Sequence, residues 1–169
     1  MKTIICNVFY LFVFSLMSCT TDTKKQTAAA PTTGIANIKL KEINGKSIDV
    51  GEYKGKTVFI NVWATWCKPC IIEMPTIESA QKKLVNEDIV FLLASNEEQE
   101  QIKNFSKKHA FKFHYVYLEN MEAMKIQALP TTLIFNPEGK LQFSEAGFRK
   151  WDDADNIELI TKIMNSHEK

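Results

Sequence analysis

The sequence predicts an α/β fold: a mixed central sheet with helices on both faces, plus an N-terminal β-hairpin. Three observations predict it. Thr57–Trp63 and Ile89–Ala94 are almost continuously apolar, as strands buried on both faces should be. Apolar residues at helical spacing follow each of these runs. A late pair of strand-like runs, Thr131–Phe135 and Leu141–Ala146, flanks the turn sequence Asn136-Pro137-Glu138-Gly139. Alternating strands and helices that close on a hairpin and a helix argue for a mixed sheet covered by helices on both faces.

Taken in order, Ile38, Leu40 and Ile43 precede Asn44-Gly45, and Ile48 and Val50 follow, which is a strong hairpin signal. Tyr53-Lys54-Gly55-Lys56 reads as a turn into the strand Thr57–Trp63. Cys70–Val85 reads as a helix with Ile71, Met74, Ile77, Ala80 and Leu84 inward. After the strand Ile89–Ala94, Glu97–Lys108 forms a helix with Ile102 and Phe105 inward. Phe113–Leu118 is a third strand, and Met121–Ile126 a short helix. Ile157, Ile160, Ile163 and Met164 mark the last helix. The acidic cluster Glu97–Glu100 reads as a solvated helix start favoured by the helix dipole.

The chain has 169 residues, with 21 Lys plus Arg against 20 Asp plus Glu. Lys2 is the only charge in the first 18 residues, so without them the two signs balance at 20 each. That balance argues against nucleic-acid binding through a broad basic face and against a polybasic membrane-surface protein. A hydrophobic content of 45% with 24% charged residues is that of a globular domain.

Lys2 precedes an uncharged 14-residue run, Ile4–Met17, followed by Leu16-Met17-Ser18-Cys19 at its end. The run is short for a span of ~20 residues but suits the apolar middle of an export signal. Leu16-Met17-Ser18-Cys19 resembles the lipobox of bacterial lipoproteins. That resemblance implies cleavage before Cys19, lipidation of Cys19, and a domain anchored to a membrane in the cell envelope. Residues 1–18 are then the signal and residues 19–36 a lipidated tether, leaving the folded domain at residues 37–169. Thr20–Gly34 has no apolar side chain larger than Ala, so it cannot build a core. Once Cys6 leaves with the signal and Cys19 takes up lipid, Cys67 and Cys70 remain, three positions apart.

Those two cysteines sit in Trp63-Ala64-Thr65-Trp66-Cys67-Lys68-Pro69-Cys70, at the junction of a buried strand and a helix. A helix N-terminus presents unpaired amide N–H groups and partial positive charge, and Lys68 adds a cation; both stabilise a thiolate at Cys67. Cys70, further into the helix, is placed to attack a mixed disulfide formed at Cys67. The pattern suits thiol–disulfide exchange.

The sequence resembles the thioredoxin superfamily, and within it the membrane-anchored TlpA/ResA-type thiol–disulfide oxidoreductases of bacterial envelopes. The likeness covers roughly residues 37–165 and rests on Tyr53-Lys54-Gly55-Lys56, Asn61, Trp63, Thr65-Trp66-Cys67, Pro69-Cys70, Glu73, Pro75 and Leu129-Pro130-Thr131. It implies a thioredoxin-like fold, a catalytic Cys67–Cys70 dithiol and no cofactor. It also implies a cis-proline at Pro130, in a loop that with Leu129, Thr131, Trp66, Lys68 and Pro69 meets the substrate. Glu73 matches the family's proton-handling glutamate, and Asn61 stands where thioredoxin itself carries a buried acid. The implied partners are oxidised envelope proteins, apocytochrome c among them, and a transmembrane thiol reductase as electron donor.

Two other readings compete. A dithiol oxidant or isomerase would use the same pair, and a stabilised thiolate favours that direction. A metal-delivery lipoprotein would use the two thiolates as ligands, although one Cys-X-X-Cys gives two of the four ligands of a structural zinc site. The peroxidatic Thr-X-X-Cys pattern is not met, since Thr65 lies two positions before Cys67.

Overall fold

A computed structural model describes residues 34–166. The expected signal, Cys19 and the expected tether up to residue 33 lie outside the described residues. The first strands are β1 (Leu40–Glu42) and β2 (Ser47–Ile48), followed by β3 (Thr57–Val62). Helix α1 (Lys68–Lys83) leads to β4 (Ile89–Ser95), and α2 (Gln99–Lys108) to β5 (His114–Leu118). The hairpin β6 (Thr131–Phe135) and β7 (Leu141–Ala146) precedes α3 (Ala154–Met164). All seven strands form one sheet in the order β2-β1-β5-β4-β3-β6-β7. The centre, β3-β4-β5, is parallel; β1 joins β5, and β6 joins β3, antiparallel.

The expected N-terminal hairpin is present, with Leu40 opposite Ile48 and Gly45 at φ 91° in its turn. A positive φ is the conformation that Gly adopts without penalty, which is why Asn44-Gly45 announces the turn. The central strand explains itself by alternation: β3 is buried along its whole length. Val58, Ile60 and Val62 face one core with Leu92, Val116 and Leu133. Phe59 and Trp63 face the other with Phe91, Leu93 and Tyr115.

All three α-helices supply this second core, through Met74 and Ile77 of α1, Ile102 and Phe105 of α2, and Ile160 and Ile163 of α3. The opposite face is covered by two 3-10 turns, Ile35–Asn37 and Val50–Tyr53, and by the segment carrying Met121, Met124 and Ile126. The helix expected at Met121–Ile126 is instead a run of turns. Met124 N–H reaches the Asn120 and Met121 carbonyls, and Lys125 adopts φ 53°. One helical turn fixes several residues for a single bond, and a left-handed residue ends it at once.

Ile35 is buried, and its N–H donates to the Gly139 carbonyl at 2.8 Å, so packing begins at the edge of the described chain. Among the described residues, no helix is long and apolar enough to cross a membrane.

Candidate site at the N-terminus of helix α1

The parallel β3-α1-β4 unit brings the end of β3 to the sheet's carboxyl edge, and the chain turns there into α1. Trp63 N–H donates to the Ala94 carbonyl and holds the end of β3 to β4. Trp63 and Ala64 are buried, whereas Trp66 is 73% exposed just before Cys67. Cys67 is the N-cap of α1, and its Sγ accepts from the Cys70 N–H at 3.3 Å. The two cysteines are joined in a disulfide with their Cα atoms 5.3 Å apart. Cys67 keeps 4% of its surface and Cys70 none, so Cys67 is the more accessible of the two residues. Lys68 and Pro69 are exposed between them. Pro69 suits the first turn of the helix, where an N–H would have no partner. Pro75 lies inside α1 and takes one amide out of its ladder.

Glu73, one turn beyond Cys70, is fully buried. Its Oε1 accepts from Arg149 N–H at 2.8 Å and from Trp151 Nε1–H at 2.9 Å. Its Oε2 accepts from Asn61 Nδ2 at 3.0 Å. Burial pushes the Glu73 carboxyl above the ordinary value, and the three donors only partly oppose it. Asn61 Nδ2 also donates to Thr132 Oγ1 at 3.0 Å, across the β3–β6 pair in which Asn61 and Thr132 are opposite each other. A chain of polar contacts thus runs from α1 through β3 to β6.

The Leu129–Pro130 peptide bond is cis. Pro130 is buried, Leu129 half-buried, and Thr131 Oγ1 donates to the Ala128 carbonyl at 2.6 Å. Gly147 N–H donates to the Pro130 carbonyl at 2.7 Å, two residues before the Arg149 amide that binds Glu73. The cis-proline loop and the β7-α3 loop are therefore tied together beside α1.

Two contributors were not foreseen from the sequence. Trp151 lies in an irregular loop, and its indole is buried against Phe59 and Phe143 at centroid distances of 4.8 and 5.8 Å. Glu97 was expected to be a solvated acid. Instead its carboxylate accepts from Thr65 N–H at 2.6 Å and Thr65 Oγ–H at 2.7 Å, in the loop leading to Cys67.

A model of the AhpC/TSA family matches residues 31–144. The chain belongs to the AhpC/TSA family. The chain is 34% identical over 109 residues to the thiol–disulfide oxidoreductase ResA of Bacillus subtilis strain 168. That alignment covers 62% of this chain and 61% of the relative, so the chain matches less than two-thirds of the relative's length. Among solved structures, one from Bacteroides vulgatus assigned as a thiol–disulfide oxidoreductase is 25% identical, with a TM-score of 0.68. It covers 79% of this chain and 96% of its own. The exposed lipoprotein thioredoxin Etrx1 of Streptococcus pneumoniae strain TIGR4 is 26% identical, with a TM-score of 0.60 over 73% of this chain and 96% of its own. The fold is thioredoxin-like, as the motifs implied.

The raised Glu73 carboxyl has a pH consequence with a definite sign. A group that binds its proton more tightly folded than unfolded contributes stability below its unfolded pKa and loses it as pH rises through the folded one. Stability should therefore fall as pH rises from the ordinary value of 4.5 through the raised value of Glu73. Glu73→Gln should flatten that fall. Urea midpoints of the oxidised protein from pH 4 to 8 check it; an identical pH dependence in both proteins would contradict the assignment.

Proposed function

We propose that the protein is a thiol–disulfide oxidoreductase of the bacterial cell envelope that reduces protein disulfides with the Cys67–Cys70 pair. The observation carrying this reading is the disulfide at the start of α1, with Cys67 the more exposed of its two residues and a fully buried carboxyl one turn beyond Cys70. The names of the ResA relatives support it. In the reduced protein, the Cys67 thiolate is stabilised by the Cys70 N–H and the helix N-terminus. It attacks one sulfur of a client disulfide, forming a mixed disulfide, and the client's other sulfur leaves as a thiolate and takes up a proton. Cys70 then gives its proton to the Glu73 carboxylate, whose raised proton affinity suits that task. The Cys70 thiolate attacks Cys67 Sγ, and the client's second thiolate departs. Two electrons have passed to the client, and the protein holds the Cys67–Cys70 disulfide.

Trp66, Lys68 and Pro69 are the exposed residues around Cys67, and we assign them with Leu129, Pro130 and Thr131 to client contact. Oxidised envelope proteins, apocytochrome c among them, are the proposed clients, and a transmembrane thiol reductase the proposed electron donor. The lipobox-like Leu16-Met17-Ser18-Cys19 supports membrane attachment through lipid on Cys19, after cleavage of residues 1–18. A neighbour described as an exposed lipoprotein supports that placement.

Direction of electron flow is set by the reduction potential, read by equilibrating the pair with glutathione. A reductase is expected near −270 mV, roughly thioredoxin's value. A value near −120 mV, roughly that of a strong disulfide donor, would reverse the assigned direction.

A further inference from the structure

The loop Ala64–Cys67 is tied at several points. Trp63 N–H donates to Ala94 O, Cys67 N–H to Ala64 O, and Cys70 N–H to Cys67 Sγ. Between these ties Thr65 gives both its donors to one carboxylate on the β4-α2 connection. Its N–H meets Glu97 Oε2 at 2.6 Å and its hydroxyl meets Glu97 Oε1 at 2.7 Å. Glu97 is itself fixed from behind: Ser95 Oγ donates to Glu97 Oε2, and Glu97 N–H donates to Ser95 Oγ, both at 3.2 Å. Ser95 is buried at the end of β4 and paired in register with Tyr117 of β5. The carboxylate is thus anchored to the sheet and grips the loop two residues before Cys67.

We propose that Glu97 is a positioning residue for the reactive cysteine: it acts through Thr65 to hold the turn that sets Cys67 Sγ at the N-terminus of α1. The inference rests on reading Cys67 and Cys70 as the reactive pair. Two charge-assisted bonds to one residue fix a loop far more firmly than either alone. Released from them, the turn lets Cys67 move away from the Cys70 amide that stabilises its thiolate.

The test compares Glu97→Ala with Glu97→Gln in the reduced protein, by the rate of iodoacetamide alkylation at Cys67, mapped by mass spectrometry at pH 7. A glutamine can accept from Thr65 N–H with its oxygen and donate to Thr65 Oγ with its amide, so it keeps both contacts. Glu97→Ala should slow alkylation about tenfold, within the ~10²-fold that a misplacement of about 1 Å can cost, while Glu97→Gln restores the rate. A wild-type rate in Glu97→Ala overturns the proposal. So does a Glu97→Gln rate as slow as that of Glu97→Ala, since charge rather than grip would then be the cause. Should Glu97→Ala fail to fold, Thr65→Val against Thr65→Ser asks the same question from the other end. A slow Thr65→Val with a normal Thr65→Ser supports the clamp, and equal rates overturn it. Alkylation needs no client, so a protein that alkylates as expected but reduces no disulfide counts against the oxidoreductase reading and not against the clamp.

Discussion

The Cys70→Ser variant is expected to accumulate as a mixed disulfide with its client, joined through Cys67, while turnover falls to background. The reason is the division of labour between two sulfurs that differ in accessibility. Cys67 retains some exposed surface and can meet a client, whereas Cys70 is fully enclosed. With Cys70 gone, the first exchange still occurs and the resolving attack does not. Loss of a residue that acts as part of a nucleophilic unit typically costs roughly 10⁴-fold or more in turnover. Cys67→Ser should lose turnover to the same extent but trap nothing, because its remaining thiol is buried. Non-reducing electrophoresis and mass mapping distinguish the two. Trapping through Cys70 in the Cys67→Ser protein would invert the assigned roles.

Trp151→Ala should have the largest effect on stability. The indole is 1% exposed and packs edge-on against Phe59 at 4.8 Å and Phe143 at 5.8 Å. Removing a buried Trp costs about 3–5 kcal/mol, lost transfer energy plus the cavity left behind. The same substitution deletes the Nε1–H donor at 2.9 Å from Glu73 Oε1. That donor lowers the proton affinity of Glu73, so its loss should push the carboxyl further up. Urea unfolding reads the first effect. The second appears as an alkaline shift in the pH profile of the Cys70 resolving step. Trp151→Phe should recover most of the stability, because the aromatic contacts are largely kept. It should leave the pH shift in place, because the donor is still absent. A Trp151→Phe variant with the wild-type profile would break the link between this donor and Glu73.

How much of this was legible in the sequence depended on whether a residue's role was local. The strand-to-helix junction was legible because it is contiguous: β3 is an apolar run, Pro69 lies in the first turn of α1, and the two cysteines stand three apart. The hairpins were legible because Asn44-Gly45 and Asn136-Pro137-Glu138-Gly139 specify their turns locally. The start of α1 was placed two residues late, at Cys70, whereas the helix begins at Lys68 with Cys67 as its N-cap.

Long-range contacts were not legible. Glu97 sits in an acidic run whose other members fit the bland reading. Glu98 N–H is capped by Gln101 Oε1, and Glu100 is exposed near Lys103. Only Glu97 turns back to Thr65, 32 residues earlier, and no periodicity records that. Trp151 likewise lies in an irregular loop and reaches Glu73 across 78 positions. Glu73 itself was found by resemblance, because position in a first helical turn alone suits a solvated acid equally well. The cover of the second sheet face was misread because Met121, Met124 and Ile126 carry a helical spacing too short to sustain a helix.

The most direct test of the central claim is the fate of insulin disulfides mixed with the dithiol form of the protein. The account predicts that two insulin thiols appear for each Cys67–Cys70 disulfide formed, and that Cys67→Ser is inert. Insulin left oxidised by the wild type, or reduced equally fast by Cys67→Ser, would contradict it.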